Sequence, residues 1–240
     1  AGGLITIAVS DTTIDATTLA STIDSYDTIN GVSGVTDMTL AGGATIEVDA
    51  GEITEMLADE GAGKLTIDDQ LITVTGEITV GTANDLDEIT DGIVTASIAT
   101  DATVDSLATL TGTNAYTIKI ADVDATGSEA SELIAIDNAT TVTVDAGAIT
   151  GIEGTYGEIT ALYGSSGVSG FGDENITITG GSLTVLEANA IDALTTGVVT
   201  ASIVTTEIVD SLATLTGTNN SYTITIAEAD ATGSTAAELN

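Results

Sequence analysis

Two matching acidic loops hold the residues of this sequence that are best suited to chemistry. One loop reads Asp122-Val-Asp124-Ala-Thr126-Gly127-Ser128, and the other reads Glu228-Ala-Asp230-Ala-Thr232-Gly233-Ser234. Acidic oxygens at positions 1 and 3 followed by a glycine at position 6 are typical of the start of a calcium-binding loop. The spacing therefore predicts six calcium ligands, which are Asp122, Asp124, Thr126, Glu228, Asp230 and Thr232.

The same acidic loops have a structural alternative. Position 12 of the first loop is Leu133, and Glu132 lies one residue too early to be the usual bidentate ligand. An acidic turn whose aspartate caps a helix beginning near Ser128 also fits the residues. Other acids could hold divalent ions loosely between neighbouring segments; they are Asp68, Asp69, Asp173 and Glu174.

The composition excludes most other chemistry. The 240 residues contain 37 Asp and Glu against two basic residues, Lys64 and Lys119, which gives a formal net charge of −35. The chain has no Cys, His or Trp, so thiolate or imidazole metal sites and Ser-His-Asp catalysis lack an essential residue. A phosphate backbone would be repelled, so we expect no nucleic-acid partner. No apolar run reaches the ~18 residues that span a bilayer, so we expect no membrane insertion.

A long internal repeat is the strongest signal in the sequence. The residues Gly92–Ile98 return as Gly197–Ile203, and Val104–Asn114 return unchanged as Val209–Asn219, at an offset of 105 residues. One inserted residue near Ser221 then shifts the offset to 106. Further matches pair Tyr116 with Tyr222, Asp124 with Asp230, and Ile72 with Ile176.

Shorter segments alternate aliphatic and small polar residues, which predicts half-buried strands. Such segments begin near Ile5, Met38, Ile72, Val94, Thr117, Thr141, Ile176, Val199 and Thr223. Most are followed by a stretch with helical spacing. The clearest stretches are Leu186, Ala190, Ile191 and Leu194, and Val104, Leu107 and Leu110.

Five of the eight steps between these strand starts are 22 to 24 residues long, and the other three are longer. A strand and a short helical turn repeated at this spacing predict a repeat solenoid. We expect a β-solenoid-like stack of coils, each a short β-strand plus a turn or short helix, with an α/β solenoid as the variant. Residues 1–70 would be divergent N-terminal coils with longer excursions, and residues 71–240 regular coils with the 105-residue repeat, ending mid-repeat. The glycine-rich stretch Gly164–Gly172 is predicted to be a surface loop.

The repeated phrases also carry a resemblance. Val-Thr-Ala-Ser-Ile and Val-Asp-Ser-Leu-Ala-Thr-Leu-Thr-Gly-Thr-Asn, in an acidic background without cysteine, resemble the long repetitive cell-surface and extracellular proteins of marine bacteria, especially cyanobacteria. The resemblance covers residues 71–240 well and the first 70 loosely. It implies secretion, a filamentous or surface-coat role and frequent dependence on calcium, and it implies no catalytic residues.

These observations lead to a functional hypothesis. We expect an extracellular structural protein, not an enzyme, that forms or extends a filament, sheath or surface layer by end-to-end stacking on itself or on continuing repeats. The alternative is a calcium-dependent adhesin stalk. Less favoured are an ice-binding solenoid, suggested by ranks of outward threonines such as Thr73 and Thr75, and a polysaccharide-active enzyme, in which Tyr156 and Tyr163 would be the aromatic residues to test.

Overall fold

A computed structural model describes residues 5–9, 12–30, 36–121 and 127–226 of the chain. The strands are β1 (Ile5–Val9), β2 (Thr13–Asp15), β3 (Thr36–Leu40), β4 (Thr45–Asp49), β5 (Leu65–Thr66), β6 (Leu71–Ile78), β7 (Val94–Ile98), β8 (Ala115–Thr117), β9 (Ser128–Glu129), β10 (Val144–Asp145), β11 (Gly151–Gly154), β12 (Val168–Ser169), β13 (Asn175–Leu183), β14 (Val199–Ile203) and β15 (Ser221–Thr223). The helices are α1 (Ala16–Asn30), α2 (Ile53–Gly61), α3 (Val80–Ile89), α4 (Val104–Leu107), α5 (Ala130–Asn138), α6 (Tyr156–Gly164), α7 (Val185–Asp192) and α8 (Val209–Leu212).

The chain divides into two compact units. The first comprises Ala1–Ala102, Thr109–Lys119 and Asn138–Val142, and the second comprises Thr103–Ala108, Ile120–Asp137 and Thr143–Asn240. The predicted division at residue 70 separates less regular from more regular repeats in the sequence, and it stays a prediction.

Every described strand pair is parallel. The first unit contains a five-stranded sheet in the order β2-β4-β6-β7-β8 and a three-stranded sheet in the order β1-β3-β5. The second contains a five-stranded sheet in the order β15-β14-β13-β11-β9 and the pair β10-β12. Since parallel neighbours need a crossover between them, helices separate several of these strands, as α3 separates β6 from β7.

Rows of aliphatic side chains across the strands form the cores. In the first unit Ile46 pairs with Ile72 and Ile72 with Val94, and all three are fully buried. In the second unit Ile152 pairs with Ile176 and Ile176 with Val199, with at most 1% of any of these side chains exposed. The period-2 alternation therefore places the same face of each strand inside.

The helices bury a narrow stripe of small and aliphatic residues. In α7 the buried residues are Val185, Ala188 and Ile191, and Thr184 and Glu187 form a capping box at its start. The predicted apolar face was out of register, because Leu186 is 80% exposed. The predicted face over Val104, Leu107 and Leu110 is buried.

The predicted solenoid is wrong, both as a β-solenoid-like stack of coils and in its α/β variant. The described strands form four separate, open parallel sheets, and eight helices lie among them in a mixed α/β structure. The prediction allowed a turn or a short helix in each coil and expected all the coils to share one continuous core. The connections include helices of 8 to 15 residues, and the strands that they join divide among four sheets instead of stacking as one.

The predicted surface loop at Gly164–Gly172 is only partly a loop. It contains β12, whose Val168 is buried and pairs with Val144 of β10. The side chain of Ser165 within it donates to Asp137 at 2.6 Å. Alternation of only two residues is too short a pattern to predict a strand.

Three buried threonines tie the start of one extended segment to the segment before it. The hydroxyls of Thr90, Thr140 and Thr195 donate to the carbonyls of Gln70, Tyr116 and Glu174 at 2.6 to 2.7 Å. Each hydroxyl also accepts the backbone N–H two residues later in its own chain. We call this arrangement the threonine bridge. It satisfies a buried carbonyl and a half-buried N–H with one side chain and fixes the position of one segment against another.

Removing a threonine bridge should destabilise the fold. We expect Thr195→Val to lower the free energy of unfolding by about 1–3 kcal/mol, because the buried carbonyl of Glu174 and the N–H of Gly197 both lose their partner. Urea denaturation followed by circular dichroism measures the change. Thr200→Val is the matched control at an exposed strand position, and equal losses in the two variants would contradict the role of the bridge.

Candidate interaction surface

The two copies of the long repeat build the same local structure in different surroundings. Asn84 of α3 donates from Nδ2 to the carbonyl of Thr109, and Asn189 of α7 donates likewise to the carbonyl of Thr214. The Asn84 carbonyl oxygen accepts the N–H of Thr111. The equivalent bond joins Asn189 to Thr216 in the second copy. The recurring polar residues thus hold each helix to the segment that follows the next strand.

A second recurring asparagine links each copy to its preceding strand. Asn114 accepts the N–H of Val94 and donates to Asp87, at 2.8 Å in both cases. In the second copy Asn220 accepts the N–H of Val199 at 2.9 Å and donates to Asp192 at 2.7 Å. The sequence repeat matches Asn114 with Asn219, but the inserted residue moves this role to Asn220.

Burial is where the copies differ. Tyr116, Ile118 and Ile120 are at most 2% exposed. Their counterparts at an offset of 106 are Tyr222, which is half-buried, Ile224, which is 42% exposed, and Ile226, which is 36% exposed. We call Tyr222, Ile224 and Ile226 the β15 surface. Residue types that form core in one copy therefore form surface in the other.

The outer edge of the strand differs in the same way. In the first copy the N–H of Asn114 donates to Ala139, the N–H of Thr141 donates to Asn114, and the N–H of Ile120 donates to Asp145. Together with the bond from Thr140 to the Tyr116 carbonyl, these contacts cover the edge with the segment 139–145. Within the described residues β15 pairs with β14 alone, so no described strand covers its other edge.

The phenols of Tyr116 and Tyr222 differ in burial, and burial affects the pKa of each. Burial raises the pKa of the Tyr116 phenol well above its ordinary range, and the nearby Asp87 carboxylate raises it further. Burial and then Asp192 raise the pKa of Tyr222 as well, from a less enclosed position. Tyr116 donates to the carbonyl of Ala83, whereas the Tyr222 hydroxyl accepts from Asn220. The Tyr222 phenol is therefore a probe of whatever covers the β15 surface.

An exposed apolar residue, Ile208, also precedes α8 in the second copy. Ile208 is 51% exposed at the N-cap, where the equivalent residue Thr103 caps α4 by accepting the N–H of Ser106. Glu207 accepts from the Ser211 hydroxyl and from the N–H of Val185, and these two hydrogen bonds lower its pKa. A single carboxylate therefore connects the starts of α7 and α8.

A buried carboxylate directly precedes β13, which belongs to the same five-stranded sheet as β15. Glu174 is 1% exposed, and its Oε2 accepts the N–H groups of Gly172 and Asp173. Its Oε1 has no hydrogen-bond partner among the described residues. The equivalent residue in the first copy is Gln70, whose amide donates to Ala41 and Asp69. The second copy therefore has an acceptor where the first has a donor.

The predicted calcium ligands Asp122, Asp124, Thr126, Glu228, Asp230 and Thr232 lie outside the described residues, and this site stays a prediction. Of the looser acidic candidates, Asp69 accepts from the Gln70 amide and Glu174 is buried as described above. No group of three or more acidic side chains positioned to hold a metal occurs in the part of the chain that the structure describes.

A groove of about 530 Å³ in the first unit is lined by carboxylates and aliphatic side chains, including Glu60, Asp68 and Asp85. Tyr163 stacks at a tilt on Phe171, with 5.2 Å between ring centroids, and Tyr156 begins α6. The sheet register places Glu47 beside Thr73 and Asp49 beside Thr75, so carboxylates interrupt the predicted ranks of threonines.

The β15 surface was missed in the sequence because its residues match a strand pattern in both copies. The sequence does show two other differences between the copies, the changes from Thr103 to Ile208 and from Gln70 to Glu174. Neither pattern nor composition shows which copy of a repeated strand is covered.

Among the described helices, none combines the length and the apolar character needed to cross a membrane. Comparison of the chain with protein-family models, with curated proteins and with solved structures finds no match.

A threonine at position 208 would give α8 the side-chain cap that Thr103 gives α4. We expect Ile208→Thr to raise the free energy of unfolding by about 1 kcal/mol, because the threonine hydroxyl can accept the N–H of Ser211 as Thr103 accepts that of Ser106. Chemical denaturation measures the gain. Ile208→Val is the control that keeps the side chain apolar, and a gain of the same size in both variants would contradict capping as the cause.

Replacing the buried carboxylate tests the other difference between the copies. We expect Glu174→Gln to stabilise the chain by about 1 kcal/mol, since the neutral amide removes the cost of burying a charged carboxylate with an unpartnered oxygen, while the remaining oxygen still accepts from Gly172 and Asp173. The reverse change, Gln70→Glu, should destabilise it. Differential scanning calorimetry of both variants decides the matter, and a destabilised Glu174→Gln would show that the carboxylate itself is needed.

Proposed function

We propose that the chain is a non-catalytic structural protein of an extracellular or cell-surface assembly, and that it is extended by association with copies of itself or with continuing repeats. The observation that carries this proposal is that the polar residues repeated in both copies form the same structural hydrogen bonds. Asn84 and Asn189, and Asn114 and Asn220, all hold backbone groups of neighbouring segments. What recurs in this sequence is thus what positions strands and helices.

The edges of the sheets supply a physical means of extension. Parallel sheets with free edges can accept a further strand through backbone hydrogen bonds. The β15 surface adds exposed aliphatic side chains to one such edge, since Ile224 is 42% exposed and Ile226 is 36% exposed. These features support association at this edge.

The charge of the chain fits an environment with abundant salt. With 37 acidic and two basic residues, copies repel each other at low ionic strength. The repulsion is screened over about 3 Å at 1 M salt, and divalent ions can also bridge carboxylates. This supports a saline or calcium-rich extracellular setting, in agreement with the resemblance to long acidic surface proteins. Calcium in the loops that contain Asp124 and Asp230 belongs to this proposal.

Electron microscopy and analytical ultracentrifugation of the purified chain test the proposed assembly. We expect regular polymers in about 1 M NaCl, where charge repulsion is screened, and a shift towards monomers in low salt. Calcium chloride should promote assembly and a chelator should reverse it. A chain that stays monomeric in all these buffers at high protein concentration would contradict self-association.

A further inference from the structure

In the first copy of the repeat, the residues equivalent to the β15 surface are covered by another segment of the chain. There the residues Tyr116, Ile118 and Ile120 are buried, and the segment 139–145 satisfies the outer backbone groups of their strand. The second copy repeats the strand but has no such segment across its outer edge within the described residues. The chain thus contains equivalent residues twice, buried in the first copy and more exposed in the second.

We propose that the β15 surface binds, in parallel, a segment equivalent to Asn138–Ala146, supplied by a further repeat of this type. The inference deepens the proposed structural function by naming the chemistry of the partner. The partner is not any exposed strand, because three features of the first copy define it.

The first feature is a threonine that completes a threonine bridge. Thr140 donates to the carbonyl of Tyr116 at 2.7 Å and accepts the N–H of Val142. The matching acceptor on the β15 surface is the carbonyl of Tyr222. A partner segment therefore needs a hydroxyl at the position of Thr140, where a valine would leave both backbone groups unsatisfied.

The second feature is a set of backbone groups in a fixed register. The carbonyl of Ala139 accepts the N–H of Asn114, and the carbonyl of Asp145 accepts the N–H of Ile120, at 3.1 and 2.9 Å. The corresponding donors in the second copy are the N–H groups of Asn220 and Ile226. In the first copy the seven residues 139–145 connect these two positions, with a bend at Thr141 and Val142.

The third feature is an apolar inner face with little charge. Val144 and Ala146 are at most 1% exposed, whereas Asp145 between them points outward and is exposed. Such a face covers Ile224 and Ile226 without placing a carboxylate against them. The proximity of Asp192 to Tyr222 makes a low-charge partner the favoured one, because a buried second carboxylate would be repelled.

A graft provides the direct test. Because Asn240 corresponds to Ile134 at the offset of 106, residues 135–154 of this chain are appended directly after Asn240. The matched control carries the same residues in scrambled order, and both proteins are compared with the original chain. Amide hydrogen exchange by NMR then follows the N–H groups of Asn220 and Ile226.

We expect exchange at Ile226 and Asn220 to slow by about tenfold or more in the graft and not in the scrambled control. The phenol of Tyr222 should also titrate at higher pH in the graft, approaching the behaviour of Tyr116, because the added segment excludes water from it. Thr140→Val within the graft should reduce both effects. Equal exchange in the graft and the scrambled control would overturn the inference.

A second arm separates this inference from the proposed function. Ile224→Ser should weaken protection in the graft, whereas Ile93→Ser, at a similarly exposed isoleucine elsewhere, should not. If the ungrafted chain polymerises and the graft shows no protection, the structural function stands and this partner is wrong. If the graft is protected but the ungrafted chain never polymerises, the partner is right and self-association is wrong. Protection of Ile226 in a dimer of the ungrafted chain would identify a second copy as the occupant and overturn the inference.

Discussion

The structure depends on parallel strands paired in register, so that each strand completes the one before it. A parallel strand has backbone donors and acceptors on both edges, and one neighbour satisfies only half of them. The rows Ile46–Ile72–Val94 and Ile152–Ile176–Val199 show the same dependence in the core, since each side chain is covered by those on either side. Any strand left without its next neighbour exposes both backbone and aliphatic groups.

Polar side chains enforce this register. Thr90 and Thr195 reach back to a carbonyl of the preceding segment, and Asn114 and Asn220 accept an N–H of the preceding strand. These groups are buried or half-buried, so a shift of one residue would leave several of them unpaired at a cost of about 1–3 kcal/mol each. In the described part of the chain, buried threonines and asparagines serve alignment, while most carboxylates other than that of Glu174 are at least partly exposed and govern the response to salt.

The sequence predicts the strands better than their assembly. Alternation around Ile72 and Ile176 correctly places strands with one face buried, because period 2 follows directly from strand geometry. The solenoid was wrong because alternation predicts individual strands and does not show which strands share a sheet; the described strands divide among four sheets, with helices of up to 15 residues between them. The helix face at Leu186 was wrong by one residue, since Val185, Ala188 and Ile191 also fit helical spacing.

The candidate surface was harder to predict than the fold. Tyr116 and Tyr222 occupy equivalent positions, and only three-dimensional burial distinguishes them. Comparison of the copies could have singled out Glu174 against Gln70, because a carboxylate cannot replace an amide donor. The repeat itself, which was evident from the sequence, was needed to interpret the exposed isoleucines, since a lone exposed aliphatic residue is common on protein surfaces.

The glycine that follows two of the threonine bridges has a consequence for tracing this architecture in other chains. A Cβ atom on Gly92 would lie 2.3 Å from the carbonyl oxygen of Gln70, and one on Gly197 would lie 2.3 Å from that of Glu174. No side chain fits at either position, whereas the aliphatic residues around them can exchange with one another. The triplet Thr-x-Gly ahead of a strand is therefore a fingerprint of the bridges in which the two backbones approach most closely, whereas the Thr140 bridge has Val142 in place of the glycine.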